Sequence, residues 1–178
     1  DPSTLLPHRY PFLFIDTIDE VEEGKSARGT KLVTGSEWSV IGVADSQTRR
    51  PMPHLLIVEA LAQLSAAVMR GLLKDSDGAI GYFMGINNAR FRGEAVPGDV
   101  LTLRVELRQF RRGICKTHGQ AVVDGRSVVR ADITSIVRPA ASSAHAPVAN
   151  ETLLLTARCG ARQAGTALAR VARPAASC

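Results

Sequence analysis

The chain is poor in aromatic residues: of its 178 positions one is Trp, two are Tyr and five are Phe. That scarcity removes one ordinary route to nucleic-acid binding, in which bases stack on aromatic side chains set among basic ones. Cysteine is sparse as well. Cys115, Cys159 and Cys178 are an odd set with neither CxxC nor metal-type spacing, which argues against a disulfide framework and a zinc site. We read them as reduced thiols of a cytoplasmic protein and expect no metal or other cofactor. Long apolar runs are missing too. The longest nearly uninterrupted stretch, Leu55 to Met69, makes about 22 Å of helix against the roughly 30 Å of a bilayer core, so it reads as a buried helix and no membrane partner is expected. The chain starts at Asp1 without a methionine, and no signal-peptide pattern is visible in it.

What is present is the composition of an ordinary globular domain, 45% hydrophobic and 22% charged, with room for one sizeable core. The net charge is +5, but it is unevenly spread. From Pro139 onward, Arg158, Arg162, Arg170 and Arg173 stand against the single acid Glu151, so this tail carries +3 and the rest of the chain only +2. The basic residues do not gather with aromatics in any stretch, and no nucleic-acid partner is expected. We divide the chain into a folded domain over residues 1–138 and an Ala/Arg-rich tail over 139–178, partly helical or disordered.

Hydrophobic periodicity gives the element order. Phe12 to Val21 and Ala27 to Val33 read as an antiparallel pair separated by the turn Glu22, Glu23, Gly24, Lys25. Residues 36–50 have no clean period and read as a loop leading to Pro51 and Pro53. A helix should start near Pro53 or His54, since a proline in the first turn loses no intrahelical bond, and run to about Leu73. Strands follow over Ile80 to Arg92, Val100 to Phe110, and Ile114 to Val137, the last broken by Asp124-Gly125, a strong hairpin signal. In the middle strand Leu101, Leu103, Val105 and Leu107 alternate with Thr102, Arg104, Glu106 and Arg108, a strand buried on one face. Two strands, one long apolar helix and several consecutive antiparallel strands make an α+β domain whose sheet must wrap the helix.

The residue that stands out is Glu59, inside Leu-Leu-Ile-Val-Glu-Ala-Leu-Ala-Gln-Leu. Burying an unpaired carboxylate costs several kcal/mol, so Glu59 must be paired, protonated or turned into a cavity. Gln63, one helical turn later, lies on the same face and within reach of it. A structural carboxylate satisfied by Gln63 is one reading. The other is a general acid, its pKa raised by an apolar pocket.

Four segments together carry a family resemblance. Leu-Pro-His-Arg-Tyr-Pro-Phe-Leu-Phe-Ile-Asp (Leu6 to Asp16), Pro-Met-Pro-His-Leu-Leu-Ile-Val-Glu-Ala-Leu-Ala-Gln (Pro51 to Gln63), the stretch from Gly81 to Asp99 ending in Val-Pro-Gly-Asp, and the Ile114 to Val137 hairpin resemble FabZ-type (3R)-hydroxyacyl-acyl-carrier-protein dehydratases in order and spacing. The resemblance covers about Leu5 to Val137. It implies a hot dog fold, an antiparallel sheet wrapped around one long helix. It also implies homodimers or trimers of dimers, or a heterodimer with a second hot dog protein, with the active site between subunits and a thioester substrate on acyl carrier protein or CoA. In that family the helix glutamate, here Glu59, works with a histidine of a Gly-His-Phe-Pro loop, and a backbone amide at the helix start polarises the thioester carbonyl. Here that amide belongs to His54, which stands where the family has glycine.

The sequence departs from this pattern at the histidine. Fourteen residues before Glu59 the family position falls on Asp45, in Gly-Val-Ala-Asp-Ser-Gln-Thr, and no histidine lies between His8 and His54. His54 and Asp45 are therefore the candidate substitutes for the base. His54 is about 140° around the helix from Glu59 and would meet it only across a subunit interface, while an ordinary carboxylate is a weak base for an α-proton. Gln63, Pro53, Tyr82, Phe83, Met84 and Arg90 are the expected substrate-binding positions; Tyr82, Phe83 and Met84 read equally as core. Arg90 and Arg92, with Arg111 and Lys116, form either a solvated face or a basic rim for a carrier protein's phosphopantetheine. Three functions stay open: a dehydratase with a rearranged base, a thioesterase using Glu59 alone, and a non-catalytic acyl-binding partner subunit.

Overall fold

The computed structural model describes residues 1–37, 50–70, 72 and 80–138. The expected tail, 139–178, the loop residues 38–49 and the proposed helix end at Leu73 lie outside the described residues. A short helix α1 (Pro2–Leu5), which the periodicity does not predict, opens the chain. Asp1 caps it, its carboxylate accepting from the Ser3 amide at 2.8 Å. Strands β1 (Thr17–Glu22) and β2 (Ser26–Leu32), the central helix α2 (His54–Arg70), and strands β3 (Ile80–Phe91), β4 (Val100–Arg111), β5 (Ile114–Val123) and β6 (Arg126–Arg138) follow.

The six strands form one antiparallel sheet in the order β1-β2-β4-β5-β6-β3. The alternation of β4 comes out as expected, with Leu101, Leu103 and Val105 facing inward against α2 and Arg104 and Glu106 facing out. Helix α2 lies across the inner face and buries Ile57, Val58, Ala60, Leu61, Leu64, Ala67 and Val68. It comes close because β5 has a glycine beneath it: a Cβ on Gly119 would meet Leu61 side-chain carbons at 3.1–3.4 Å. The β5–β6 turn has Asp124 at φ 47° and Gly125 at φ 77°, the paired left-handed conformation of a two-residue hairpin. Arg112 and Gly113 at φ 52° and 77° make an equivalent turn between β4 and β5. Cys115, the one cysteine among the described residues, is buried on the inner face of β5, and burial pushes its thiol up to about 11.

Two expectations need correcting. The first strand starts at Thr17, not Phe12, because the Phe12–Phe14 backbone is engaged by a helix side chain instead of a neighbouring strand. Helix α2 is not covered all round: Leu55 is exposed, and Glu59, Ala62 and Ala66 are half-buried along one stripe. The sheet wraps most of the helix and leaves that stripe open.

Candidate active site

The site is built on the first three turns of α2. Pro53 supplies no amide, and its carbonyl accepts from the amides of Leu56 at 2.9 Å and Ile57 at 3.3 Å. Met52, just before it, ties the helix start to the loop after β3 through its amide and the Ala95 carbonyl, 2.8 Å apart. His54 adds a second tie. Its Nε2 lies 2.7 Å from the Gly93 carbonyl and its ring stacks on Phe91 with centroids 5.0 Å apart. A carbonyl only accepts, so Nε2 carries the hydrogen and the neutral ring keeps its lone pair on Nδ1.

One turn further on, Glu59 is held by Gln63. The Gln63 Nε2 donates to Glu59 Oε1 at 3.0 Å and to the Phe12 carbonyl at 2.9 Å, while its Oε1 accepts the Phe14 amide at 2.9 Å. Gln63 is 1% exposed, so its amide is committed to the chain. It holds the Glu59 carboxylate against the Phe12–Phe14 backbone. The partners on each side leave only one orientation of the amide, with nitrogen toward Glu59. Glu59 is thus paired, as its position in an apolar helix demands, and its burial is partial, which the uninterrupted apolar sequence around it does not convey.

The remaining expected positions divide. Within this chain His54 and Glu59 do not converge: His54 is held toward Phe91 and Gly93, Glu59 toward the Phe12–Phe14 segment. Asp45 lies outside the described residues. Pro53 is exposed at the helix start. Tyr82, Phe83 and Met84 are more than half exposed on β3 and belong to no buried cluster among the described residues. Arg90 does not join Arg111 and Lys116 in one rim. It pairs across to Arg130, four β6 residues or about 13 Å from Thr134, the partner of Lys116. Arg111 and Lys116 instead line a recess of about 250 Å³ at the β4–β5 hairpin with Gln109, Arg112 and Ile114. Arg112 and Gln109 had no signal in the sequence beyond their place in a turn. His118 on β5 is paired: its Nδ1 is 2.7 Å from Asp132, whose other oxygen accepts from Asn88 at 2.7 Å. These two bonds hold the Asp132 carboxyl below the usual range, Asn88 contributing most. Among the described residues no three His, Cys, Asp or Glu side chains gather as a metal site, and no helix is long and apolar enough to cross a membrane.

A six-stranded antiparallel sheet around one helix, with a carboxylate on the open side of that helix, defines a hot dog domain. Solved structures agree on that fold. The dehydratase heterocomplex ApeI:P from Xenorhabdus doucetiae superposes with a TM-score of 0.63 at 15% identity, covering 77% of this chain and 90% of that one. A hypothetical thioesterase from Streptococcus pneumoniae with coenzyme A gives 0.52 at 20% identity, covering 69% and 85%. Sequence narrows the class. The FabA-like domain model matches residues 6–132. The 3-hydroxyacyl-[acyl-carrier-protein] dehydratase FabZ of Syntrophotalea carbinolica is 45% identical over 139 residues, 78% of this chain and 93% of that protein. That of Bacillus subtilis is also 45% identical, over 73% of this chain and 90% of its own. The chain belongs to the FabA-like dehydratase family, as its motifs led us to expect.

Proposed function

We propose that the chain is a lyase of fatty acid synthesis that removes water from a (3R)-3-hydroxyacyl thioester carried on acyl carrier protein. The observation that carries this is the Glu59 carboxylate, fixed by Gln63 on the uncovered side of α2 in a chain nearly half identical to FabZ dehydratases. Glu59 gives a proton to the departing 3-hydroxyl, which leaves as water. A base takes the proton from C2, and the C2–H electron pair becomes the C2=C3 bond. His54 and Asp45 are the two candidates for that base. His54 has the preparation a base needs, one ring nitrogen fixed by the Gly93 carbonyl and the other carrying the lone pair.

Because His54 and Glu59 do not converge within one chain, the reading requires a second subunit. The exposed apolar residues of β3 are the surface we assign to it, in a homodimer, in a trimer of such dimers, or in a heterodimer with a second hot dog protein. The recess at Arg111, Arg112 and Lys116 supports docking of an acidic carrier protein rather than free CoA. The unpaired, buried Cys115 fits a reducing cytoplasm.

The test is mass spectrometry of the protein incubated with 3-hydroxybutyryl, crotonyl and saturated acyl thioesters on carrier protein. Reversible loss and gain of water is the expected result. Release of free acid would make the protein a thioesterase acting through Glu59, and binding without conversion would make it a partner subunit. Glu59→Gln should reduce turnover by about 10²–10⁴-fold, and survival of activity in that variant would sink both enzymatic readings.

A further inference from the structure

The sequence scatters its arginines, but the strand register gathers four of them. Arg28 on β2 is opposite Arg104 on β4, Arg104 opposite Gln120 on β5, Gln120 opposite Arg130 on β6, and Arg130 opposite Arg90 on β3. These residues form one transverse row on the outer face of the sheet, away from α2, and all four arginines are exposed. At about 4.8 Å per strand the row runs roughly 19 Å from Arg28 to Arg90. Two of its neighbouring pairs, Arg28/Arg104 and Arg130/Arg90, place like charges directly opposite, an arrangement that destabilises a sheet unless an anion intervenes. Arg28 has a carboxylate, Glu20, at 3.7 Å. Among the described residues Arg104, Arg130 and Arg90 have none; the nearby acids Glu106 and Asp132 are engaged with Arg108 and with His118 and Asn88.

We propose that this row binds the sugar-phosphate backbone of a single-stranded nucleic acid, independently of base sequence. Guanidinium groups match phosphate oxygens in pairs of hydrogen bonds, and all the cations of the row are arginine. The rows on either side hold Thr30, Thr102 and Val122, or Glu106, His118 and Asp132, with no large exposed apolar side chain to anchor a protein partner. The acids on one side also disfavour a broad anionic surface such as a membrane, and leave a single line of positive charge. No aromatic side chain stands in the row, so bases are not stacked and sequence is not read.

Fluorescence anisotropy of a labelled oligothymidylate of about twenty nucleotides, titrated with the full chain at several salt concentrations, tests the proposal. Three or four phosphate contacts predict a slope of log K on log salt of about −2 to −3. Arg104→Ser with Arg130→Ser should flatten that slope by about 1.4 and weaken binding, whereas Arg126→Ser, at an exposed arginine that opens β6, should leave the slope as it was. No binding by the wild type, equal weakening by Arg126→Ser, or competition by polyglutamate as effective as by unlabelled oligonucleotide would each overturn it.

Discussion

Strands β3 and β4 have the same length, twelve residues each, and opposite fates. β4 lies inside the sheet between β2 and β5, with α2 against its inner face, and its Leu101 and Leu103 are sealed. β3 is at the edge, pairs only with β6 among the described strands, and leaves Tyr82, Phe83, Met84, Ile86 and Phe91 uncovered. The number of apolar residues does not separate the two strands. What differs is the presence of an element to bury them. β4 shows how this chain closes its own core, and β3 shows an apolar surface that the described residues leave open.

The sharpest way to break that comparison is to damage both strands and compare the losses. Leu103→Ala removes a fully buried side chain facing α2 and should lower stability by about 2–5 kcal/mol in urea denaturation. A somewhat smaller loss, about 1–3 kcal/mol, is expected for Gln63→Met, which fills the space but leaves the Phe14 amide and the Phe12 carbonyl without their partner. Because Glu59 loses its tether in the same variant, turnover per folded molecule should fall along with stability, a pairing that Leu103→Ala should not show. On β3, Phe83→Asp with Met84→Asp should change the unfolding free energy of the separated subunit by no more than about 0.5 kcal/mol. Sedimentation velocity should show the double variant as the smaller species, with activity lost. If it unfolds instead, β3 belongs to the chain's own core and the contrast with β4 fails.

The smallest effect concerns the bulge that shapes β3. Asn88 sits there at φ 52° and donates to Asp132 on β6. A carboxylate held below its ordinary 3.8 contributes stability above that value and loses it as pH falls through the lower, folded-state value. Asn88→Gly, which keeps this left-handed backbone unstrained, should therefore move the Asp132 titration, followed by carboxyl NMR shifts, upward toward 3.8. The group is largely solvent-exposed, so the change in overall stability should be slight. A titration unmoved by the substitution would show that Asn88 is not its main cause.

The fold was legible where periodicity is strong. The alternation of β4, the Asp124-Gly125 turn and the proline start of α2 each specify local structure with a physical reason, and each came out as expected. Phe12 to Ile15 misled because a segment rich in aromatic and branched residues resembles a strand even when its backbone is satisfied by a glutamine nearly fifty residues away. At the site, the i, i+4 spacing was enough to pair Gln63 with Glu59. No spacing could predict that Gly93 would fix His54, or that four arginines from four strands would fall in one row, since both depend on register between distant segments.

The glutamine bridge also bears on how this enzyme could be altered from a distance. One amide joins the N-terminal segment to the Glu59 carboxylate, so a substitution that shifts Phe12 or Phe14 pulls on Glu59 from a distance. Screens for variants with altered activity should therefore find changes in that segment as well as around the helix, and those changes would act by moving the tether of Glu59.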